Sequence, residues 1–161
     1  MIALTNSNIR VLEQVSSLDY FDSQSVDLPR EVTPLEAWNL TMKDPRPLLR
    51  FAFYVRDAIS TLFGVKAIRG FSGREAQSAT AGEYLDFFLI EYSDNTTLAL
   101  TERDRHLDVM TCISTDGQTV TITSSVQVHN FFGQVYMVPV GIGHRWIVRS
   151  MLKRLKRKLA V

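Results

Sequence analysis

The fold is decided by residues 96–129, which read TTLALTERDRHLDVMTCISTDGQTVTITSSVQVH. Apolar and polar residues alternate along this stretch, and a period of two predicts β-strands. Asp116-Gly117 is a strong signal for a two-residue hairpin turn, because both turn positions favour positive φ. We therefore predict three antiparallel strands, joined by turns at Arg103-Asp104 and Asp116-Gly117: Thr96–Glu102, His106–Thr115 and Gln118–His129.

The two turns also set the register of this sheet. The second turn places Thr115 opposite Gln118 and Val109 opposite Ser124, and the first places Leu98 opposite Val109. Both registers sort the residues in the same way, into an apolar side and a mostly polar side. This sorting is typical of a sheet that is covered on one side, so we expect the polar side to face solvent.

The residues before the sheet indicate one strand and two short helices. A weak alternation over Leu18–Leu28 indicates a first strand. Thr33, Pro34 and Glu36 form a helix start, which predicts a helix over Pro34–Met42. A second helix follows Pro47 and ends at Gly64, with one apolar stripe made of Leu48, Phe51, Ala52, Val55, Ile59 and Leu62. Residues 71–81 are predicted to be a loop.

Two further segments complete the predicted fold. The strand Tyr84–Tyr92 is apolar on both faces, so it should be covered twice, by the N-terminal segment or by a second copy meeting Tyr84, Phe88 and Tyr92 in a homodimer. The chain ends in a long helix, with Pro139 in its first turn or at a kink. Its broad apolar stripe is predicted to pack on the sheet: Ile142, Trp146, Ile147, Met151, Leu152, Leu155 and Leu159.

Composition narrows the class of protein. The 161 residues suit one domain spanning 1–161, and the formal net charge of +1 provides no bulk attraction to nucleic acid. The single cysteine, Cys112, indicates a reducing compartment. The N-terminus lacks the pattern of a signal peptide, and the chain lacks a long apolar run. We expect a cytoplasmic protein without membrane insertion.

Several stretches of the C-terminal half resemble a known family. They are Gly82–Phe87, Asp104–Asp108, His129-Asn130 with Gly133 and Tyr136, and His144-Arg145 with Ile147-Val148. In order and spacing they resemble the family catalogued as domain of unknown function two-eight-six-seven, within the START-like (SRPBCC, helix-grip) superfamily. The resemblance implies an α+β helix-grip fold: an antiparallel sheet curved around a long C-terminal helix, with a cavity between them and two short helices near the N-terminus. It implies no reaction.

The expected function is binding of a small hydrophobic molecule in that cavity. An apolar pocket with a few converging polar groups is the usual pattern of a binding site. The candidate ligand-binding residues are Leu98, Leu100, Glu102, Arg105, Leu107, Val109, Val126, Asn130, Tyr136, His144 and Trp146. Two alternatives remain open: a cyclase, dehydratase or hydrolase that uses a histidine or Glu102 as general acid–base, and a protein-interaction domain without a ligand.

Cofactor sites are not expected. By the predicted register Asp104, His106, Asp108 and His129 share the polar side, where two histidines and a carboxylate could hold a metal ion. A solvent-exposed polar surface explains the same residues more simply, so we predict no metal site. Cys112 lies in mid-strand away from any histidine, which argues against an activated thiol. The sequence shows no phosphate-binding glycine motif.

Overall fold

The structure is a computed structural model, and it describes residues 1–43, 57 and 72–160. Over these residues the chain is α+β, with two α-helices and a short 3-10 turn at Val15–Ser17. The helices are α1 (Pro34–Met42) and α2 (Phe131–Leu159). The strands are β1 (Ile2–Ala3), β2 (Arg10–Val11), β3 (Tyr20–Asp27), β4 (Tyr84–Leu85), β5 (Phe88–Ser93), β6 (Thr97–Arg103), β7 (Leu107–Asp116) and β8 (Thr119–Val128). The helix predicted after Pro47 lies outside the described residues.

Strands β3 to β8 form one antiparallel sheet in the order β3-β8-β7-β6-β5-β4, and β1 and β2 form a separate hairpin. Both helices pack on the same side of the sheet, which we call the helix-facing side. The core lies there: side chains of α1 and α2 meet apolar residues of five strands, β4 to β8. The main contacts in this core are made by Trp38, Leu98, Leu100, Ile113, Val120, Ile122, Val148, Leu152 and Leu155.

The predicted registers are wrong by even numbers of residues. Thr115 pairs with Val120 rather than Gln118, so the turn is Gly117-Gln118, with Gly117 at φ +56°. Leu98 pairs with Ile113 rather than Val109. An even shift leaves each side chain on its predicted side, because the side-chain period of a strand is two.

The turn between β6 and β7 is longer than predicted, because one carboxylate stabilises it. Asp104 Oδ1 accepts hydrogen bonds from the backbone N–H groups of His106 (2.6 Å) and Leu107 (2.9 Å). The N–H of Asp104 also donates to the carbonyl of Leu107 (3.0 Å). An aspartate that bonds its own backbone in this way favours a turn.

The polar side of the sheet is covered, contrary to the prediction of a solvent-exposed surface. Met110, Cys112, Thr123 and Ser125 are all buried there. The N-terminal segment lies over them, and its backbone N–H groups donate to side chains of the sheet. Leu12 donates to Ser125 Oγ (3.1 Å) and Arg10 to Cys112 Sγ (3.2 Å). Small side chains of the sheet therefore accept hydrogen bonds from the backbone of the N-terminal segment, which forms a second layer over this side.

The predicted strand Tyr84–Tyr92 is two strands. Asp86 takes φ +56°, and β4 folds back to pair with β5. The aromatic face proposed for a homodimer is not continuous: Tyr84 is exposed, Phe88 packs edge-on against Trp38 in the core, and Tyr92 lies beneath the Arg10 guanidinium, 3.5 Å from the ring centroid.

Both helices begin at side-chain caps. Thr33 Oγ1 accepts from the Glu36 N–H (3.2 Å), which confirms the predicted start and extent of α1. Asn130 Oδ1 accepts from the Gly133 N–H (3.1 Å), so α2 begins eight residues before Pro139, which lies inside the helix. Such caps satisfy donors that a helix start leaves unpaired.

The predicted inward stripe of α2 is correct in the second half and wrong in the first. Leu152 and Leu155 are buried in the core, and Met151 and Leu159 are partly buried against it. Val148, which is also buried there, was not part of the predicted stripe. In contrast, Ile142 is 70% exposed and Trp146 is 74% exposed. Where both were expected to face the sheet, Gly141 lies against the ring of Tyr20.

Candidate functional site

Helix α2 holds His144 above a row of polar residues on the helix-facing side. The sheet register aligns Asp22 on β3, Ser124 on β8 and Thr111 on β7, and we call these three residues the polar row. The next position on β6 is Leu100, which is fully buried. A polar row inside an apolar sheet face is where a partly polar ligand would find partners.

His144 has one ring nitrogen in contact with the polar row and one without a partner. Its Nε2 lies 3.4 Å from Ser124 Oγ, at the long end of hydrogen bonding. Its Nδ1 is buried and has no hydrogen-bond partner among the described residues. Leaving a buried polar atom without a hydrogen bond costs about 1–3 kcal/mol of stability. Most buried polar atoms therefore have a partner in the protein, in ordered water or in a ligand.

Burial also governs the charge of this site. Desolvation lowers the pKa of His144, and the nearby Asp22 carboxylate opposes the shift only in part. Asp22 forms an ion pair with Arg145 Nε (3.3 Å) and accepts a hydrogen bond from Gln24 Nε2 (2.7 Å). Burial raises the pKa of Tyr20, whose hydroxyl donates to the carbonyl of Gly141 (3.1 Å). The imidazole is therefore a neutral hydrogen-bonding group at pH 7.

The lowered pKa of His144 predicts that acid destabilises the fold. In the unfolded chain His144 titrates near pH 6.5, and in the folded protein it titrates lower. Between these values only the unfolded chain binds the proton, so acidification favours unfolding. Stability is fully present above about pH 6.5 and is lost as the pH falls through the folded pKa.

Urea titrations across this pH window check the prediction. His144→Gln should remove this part of the pH dependence, while His129→Gln, which changes an exposed histidine, should retain it. An unchanged slope in His144→Gln would contradict the prediction.

A second group of side chains lies where α2 begins, and we call it the rim: Arg105, His106, Asn130, Phe132 and Tyr136. Arg105 Nε donates to His106 Nε2 (3.0 Å). His106 Nδ1 lies 2.9 Å from Asn130 Nδ2 and 3.1 Å from Asn130 Oδ1, so the Asn130 amide caps this ring nitrogen. The His106 ring packs on Phe132 (4.7 Å between centroids), and Phe132 stacks on Tyr136 (6.1 Å).

The structure separates the sequence-predicted site residues into five sets. Leu98, Leu100 and Val126 lie in the core. Glu102, Leu107, Val109 and Tyr136 are half-buried, and the first three lie on the helix-facing side at the rim end of β6 and β7. Arg105 and Asn130 are brought together in the rim through His106. His144 lies over the polar row, and exposed Trp146 lies outside this arrangement.

Sequence reasoning missed Tyr20, Asp22 and Ser124 as members of the site. Ser124 is 2% exposed, although it lies among apolar residues. The signal was present, because the alternation of β8 places a serine on the apolar side between Ile122 and Val126. An isolated hydroxyl on an apolar strand face indicates a polar partner on the element that covers it.

Several titratable groups on the polar side of the sheet pair with one another. His129 Nε2 lies 3.1 Å from Asp108 Oδ1, and Arg103 bridges Asp108 (2.8 Å) and Glu91 (2.7 Å). His106 belongs to the rim instead, so the predicted grouping of both histidines on one side is wrong. Burial raises the pKa of Cys112 to about 11, which keeps its thiol protonated. Within the described ranges, no three histidine, cysteine or acidic side chains converge on a common point for a metal ion.

Chemically, the polar row can recognise a hydrogen-bonding group. In a serine–histidine–aspartate triad the acid orients the histidine through Nδ1. Here Asp22 instead pairs with Arg145 and accepts from Gln24, and no described residue bonds Nδ1. The geometry therefore favours recognition of a ligand over activation of Ser124.

Comparisons with known proteins give one family. Residues 15–151 match the model of the family described as protein of unknown function DUF2867. No curated protein matches the chain, and no solved structure matches it. Among the described residues, no helix has both the length and the hydropathy to cross a bilayer. Since the family model covers most of the chain, this protein belongs to the DUF2867 family.

Proposed function

We propose that this protein is a START-like, helix-grip domain that binds a small, mostly apolar molecule between the helix-facing side of the sheet and the first half of α2. The observation that carries the proposal is the buried Nδ1 of His144, which has no hydrogen-bond partner in the part of the chain that the structure describes. A polar group of the ligand would supply the missing hydrogen bond, while the rest of the molecule would contact apolar side chains.

The gradient of burial along the sheet supports this position. At one end the helix-facing side is closed, because Trp38 (2% exposed) of α1 and Leu155 (1%) of α2 belong to the core that covers it. Towards the rim, Leu107 and Val109 remain half-buried. Apolar surface that is only partly covered can contribute about 25 cal/mol per Å² when a ligand buries it.

A hydrogen bond from the ligand to His144 Nδ1 would orient the ligand in the site. The imidazole is neutral at pH 7, so its Nδ1 either donates or accepts according to the tautomer. Ser124 Oγ accepts from Nε2 when Nε2 carries the proton, and donates to Nε2 when Nδ1 carries it. A ligand hydroxyl or carbonyl fits either tautomer.

The rim supplies a group for the outer end of the molecule. Arg105 is exposed next to Asn130 and could pair with a ligand carboxylate. The proposed ligand class is therefore a hydrophobic molecule with an inner hydroxyl or carbonyl, and with an outer acid as an optional feature.

The experiment has two steps. Native mass spectrometry of the freshly purified full chain identifies a co-purified molecule. Calorimetric titration then uses a panel of fatty acids, steroids and flavonoids. We expect His144→Leu to weaken binding about tenfold, as for the loss of one buried hydrogen bond of about 1.4 kcal/mol.

His129→Leu is the matched control, because it makes the same change at an exposed histidine on the other side of the sheet. It should bind like the wild type. If the domain has no ligand, His144→Leu should leave the free energy of unfolding unchanged or raise it, since it removes an unsatisfied buried atom. That result, together with a panel that shows no saturable binding, would refute the proposal.

A further inference from the structure

The outward face of α2 carries a line of exposed apolar side chains along its first half. They are Phe131 (78% exposed), Val135 (54%), Val138 (69%), Ile142 (70%) and Trp146 (74%). Successive members are three or four residues apart, so they share one face of the helix. This outward line points away from the buried residues Gly141 and Val148. Exposed large apolar side chains that form a contiguous patch mark an interaction site.

The same face becomes cationic in the second half of the helix. Arg149, Lys153 and Lys156 continue the line at the same spacing, and all three are exposed. Residues 131–159 contain seven lysines and arginines and no aspartate or glutamate. One of the seven, Arg145, pairs with Asp22 of the sheet. An apolar line followed by an uninterrupted cationic line is more than the dipole of a helix C-terminus requires.

We propose that this face of α2 docks onto an anionic lipid surface. The apolar half would enter the boundary between headgroups and acyl chains, and the cationic half would lie over the headgroups. Trp146 lies at the junction of the two halves. An exposed indole is favoured at such a boundary, because its ring is apolar and its N–H is polar.

Charge complementarity distinguishes this partner from a second copy. In an antiparallel pair the apolar halves of two α2 helices could overlap, but the cationic halves would then lack a counterpart. A protein helix that pairs along a seam is selected by charged residues beside the seam. Beside the apolar half of this line the exposed residues are Gln134, Pro139, Gly143 and Arg145. The first three carry no charge, and Arg145 pairs with Asp22 of the sheet.

Lipid docking is independent of the proposed ligand site. The outward line faces away from the sheet, whereas His144 is on the sheet-facing side of α2 and contacts Ser124 in the sheet. Variants on the line therefore leave the polar row intact, and each proposal can fail without the other.

Flotation with lipid vesicles tests the proposal on the full chain. We expect binding to vesicles of phosphatidylcholine mixed with phosphatidylglycerol, and no binding to phosphatidylcholine alone. Arg149→Gln/Lys153→Gln should weaken partitioning by about thirtyfold, the equivalent of about 1 kcal/mol for each cation near an anionic surface. Raised salt should weaken it further.

The matched control removes two exposed cations elsewhere. Lys43 lies at the end of α1 and Arg74 in the loop that follows Ser72, and neither is on the outward line. Lys43→Gln/Arg74→Gln has the same net charge as the test variant and should bind nearly as well as the wild type. Equal losses in both variants would show a general attraction by charge and would overturn the assignment of the face.

Fluorescence reports the apolar half directly. Trp146 is exposed and Trp38 is buried, so a blue shift of the emission on anionic vesicles should come from Trp146. Trp146→Phe should abolish the shift while most binding persists. Absence of binding to anionic vesicles overturns the proposal. A dimer in sedimentation that Ile142→Glu dissociates would then identify a second copy as the occupant, and selective binding of an acidic peptide would identify a protein partner.

Discussion

Val126→Asp is expected to prevent the domain from folding. Val126 is 3% exposed on the helix-facing side, in register with Tyr20 on β3 and Val109 on β7. A carboxylate there would be buried without a counter-charge, at a cost of more than about 4 kcal/mol. That cost approaches the whole stability of a small domain, which is about 5–15 kcal/mol. Soluble yield and thermal melting measure the effect.

Val138→Asp is the control, because it makes the same change where the side chain is 69% exposed on α2. Valine and aspartate have similar helix propensities, so the free energy of unfolding should change by no more than about 0.5 kcal/mol. Leu107→Asp should fall between the two, since Leu107 is half-buried. A folded Val126→Asp protein with a melting temperature close to that of wild type would refute the placement of β8.

The faces of the sheet could be predicted from the sequence, while the register could not. Alternation fixes which side a residue takes, and the observed pairs differ from the predicted ones by two and four positions. The turn residues decide the pairing, and their chemistry was ambiguous. In the β7–β8 turn, Gly117 could be the second turn residue after Asp116 or the first before Gln118. In the β6–β7 turn, the carboxylate of Asp104 stabilises a longer turn than the pattern predicted.

The face of α2 that packs on the sheet could not be predicted from the periodicity of apolar residues. Its first half carries apolar residues on two faces: the outward line that includes Ile142 and Trp146, and the inner face with Phe132 and Tyr136. The spacing of apolar residues does not indicate which of two apolar faces of a helix packs on the sheet. The choice depends on close packing at Gly141, whose Cα lies against the Tyr20 ring. Tertiary contacts of this kind leave no periodic signal.

The covering of the polar side was also beyond the sequence. Residues 1–18 show no sustained alternation, and β1 and β2 have only two residues each. Their attachment combines single hydrogen bonds, such as Asn8 Nδ2 to the Thr115 carbonyl (2.9 Å), with the packing of Leu12 on Ala99 and Met110. Small hydroxyl residues on a strand suit both a solvated surface and a second layer, so composition could not distinguish the two.

His144 was predicted as a site residue, but its partners were not. The prediction rested on a histidine among apolar helix residues, which the structure places above Ser124. Asp22 belongs to a strand that only a weak alternation indicated. A site assembled across three elements requires the register of β3 on β8, and this information is absent from local sequence patterns.

Gly133→Ala is expected to destabilise the domain, although alanine is the better helix former. Gly133 is buried in the first turn of α2, and an added Cβ would lie 2.7 Å from both the carbonyl oxygen of His106 and Cγ1 of Val128. The carbonyl belongs to the backbone of the β6–β7 turn and cannot rotate away. We expect the overpacking to cost about 1–3 kcal/mol, and this exceeds the propensity gain of up to about 1 kcal/mol.

Gly143→Ala in the same helix separates propensity from packing, because an added Cβ there meets nothing within 4 Å. That variant should gain up to about 1 kcal/mol in urea denaturation, the opposite sign to Gly133→Ala. Since Asn130 caps α2 and contacts His106, displacing the first turn should also disturb the rim. Two variants that stabilise equally would mean that α2 does not approach the β6–β7 turn this closely. Opposite signs would instead explain why a glycine follows the His129-Asn130 pair: only a residue without a side chain lets the helix start directly against the turn that carries Arg105 and His106.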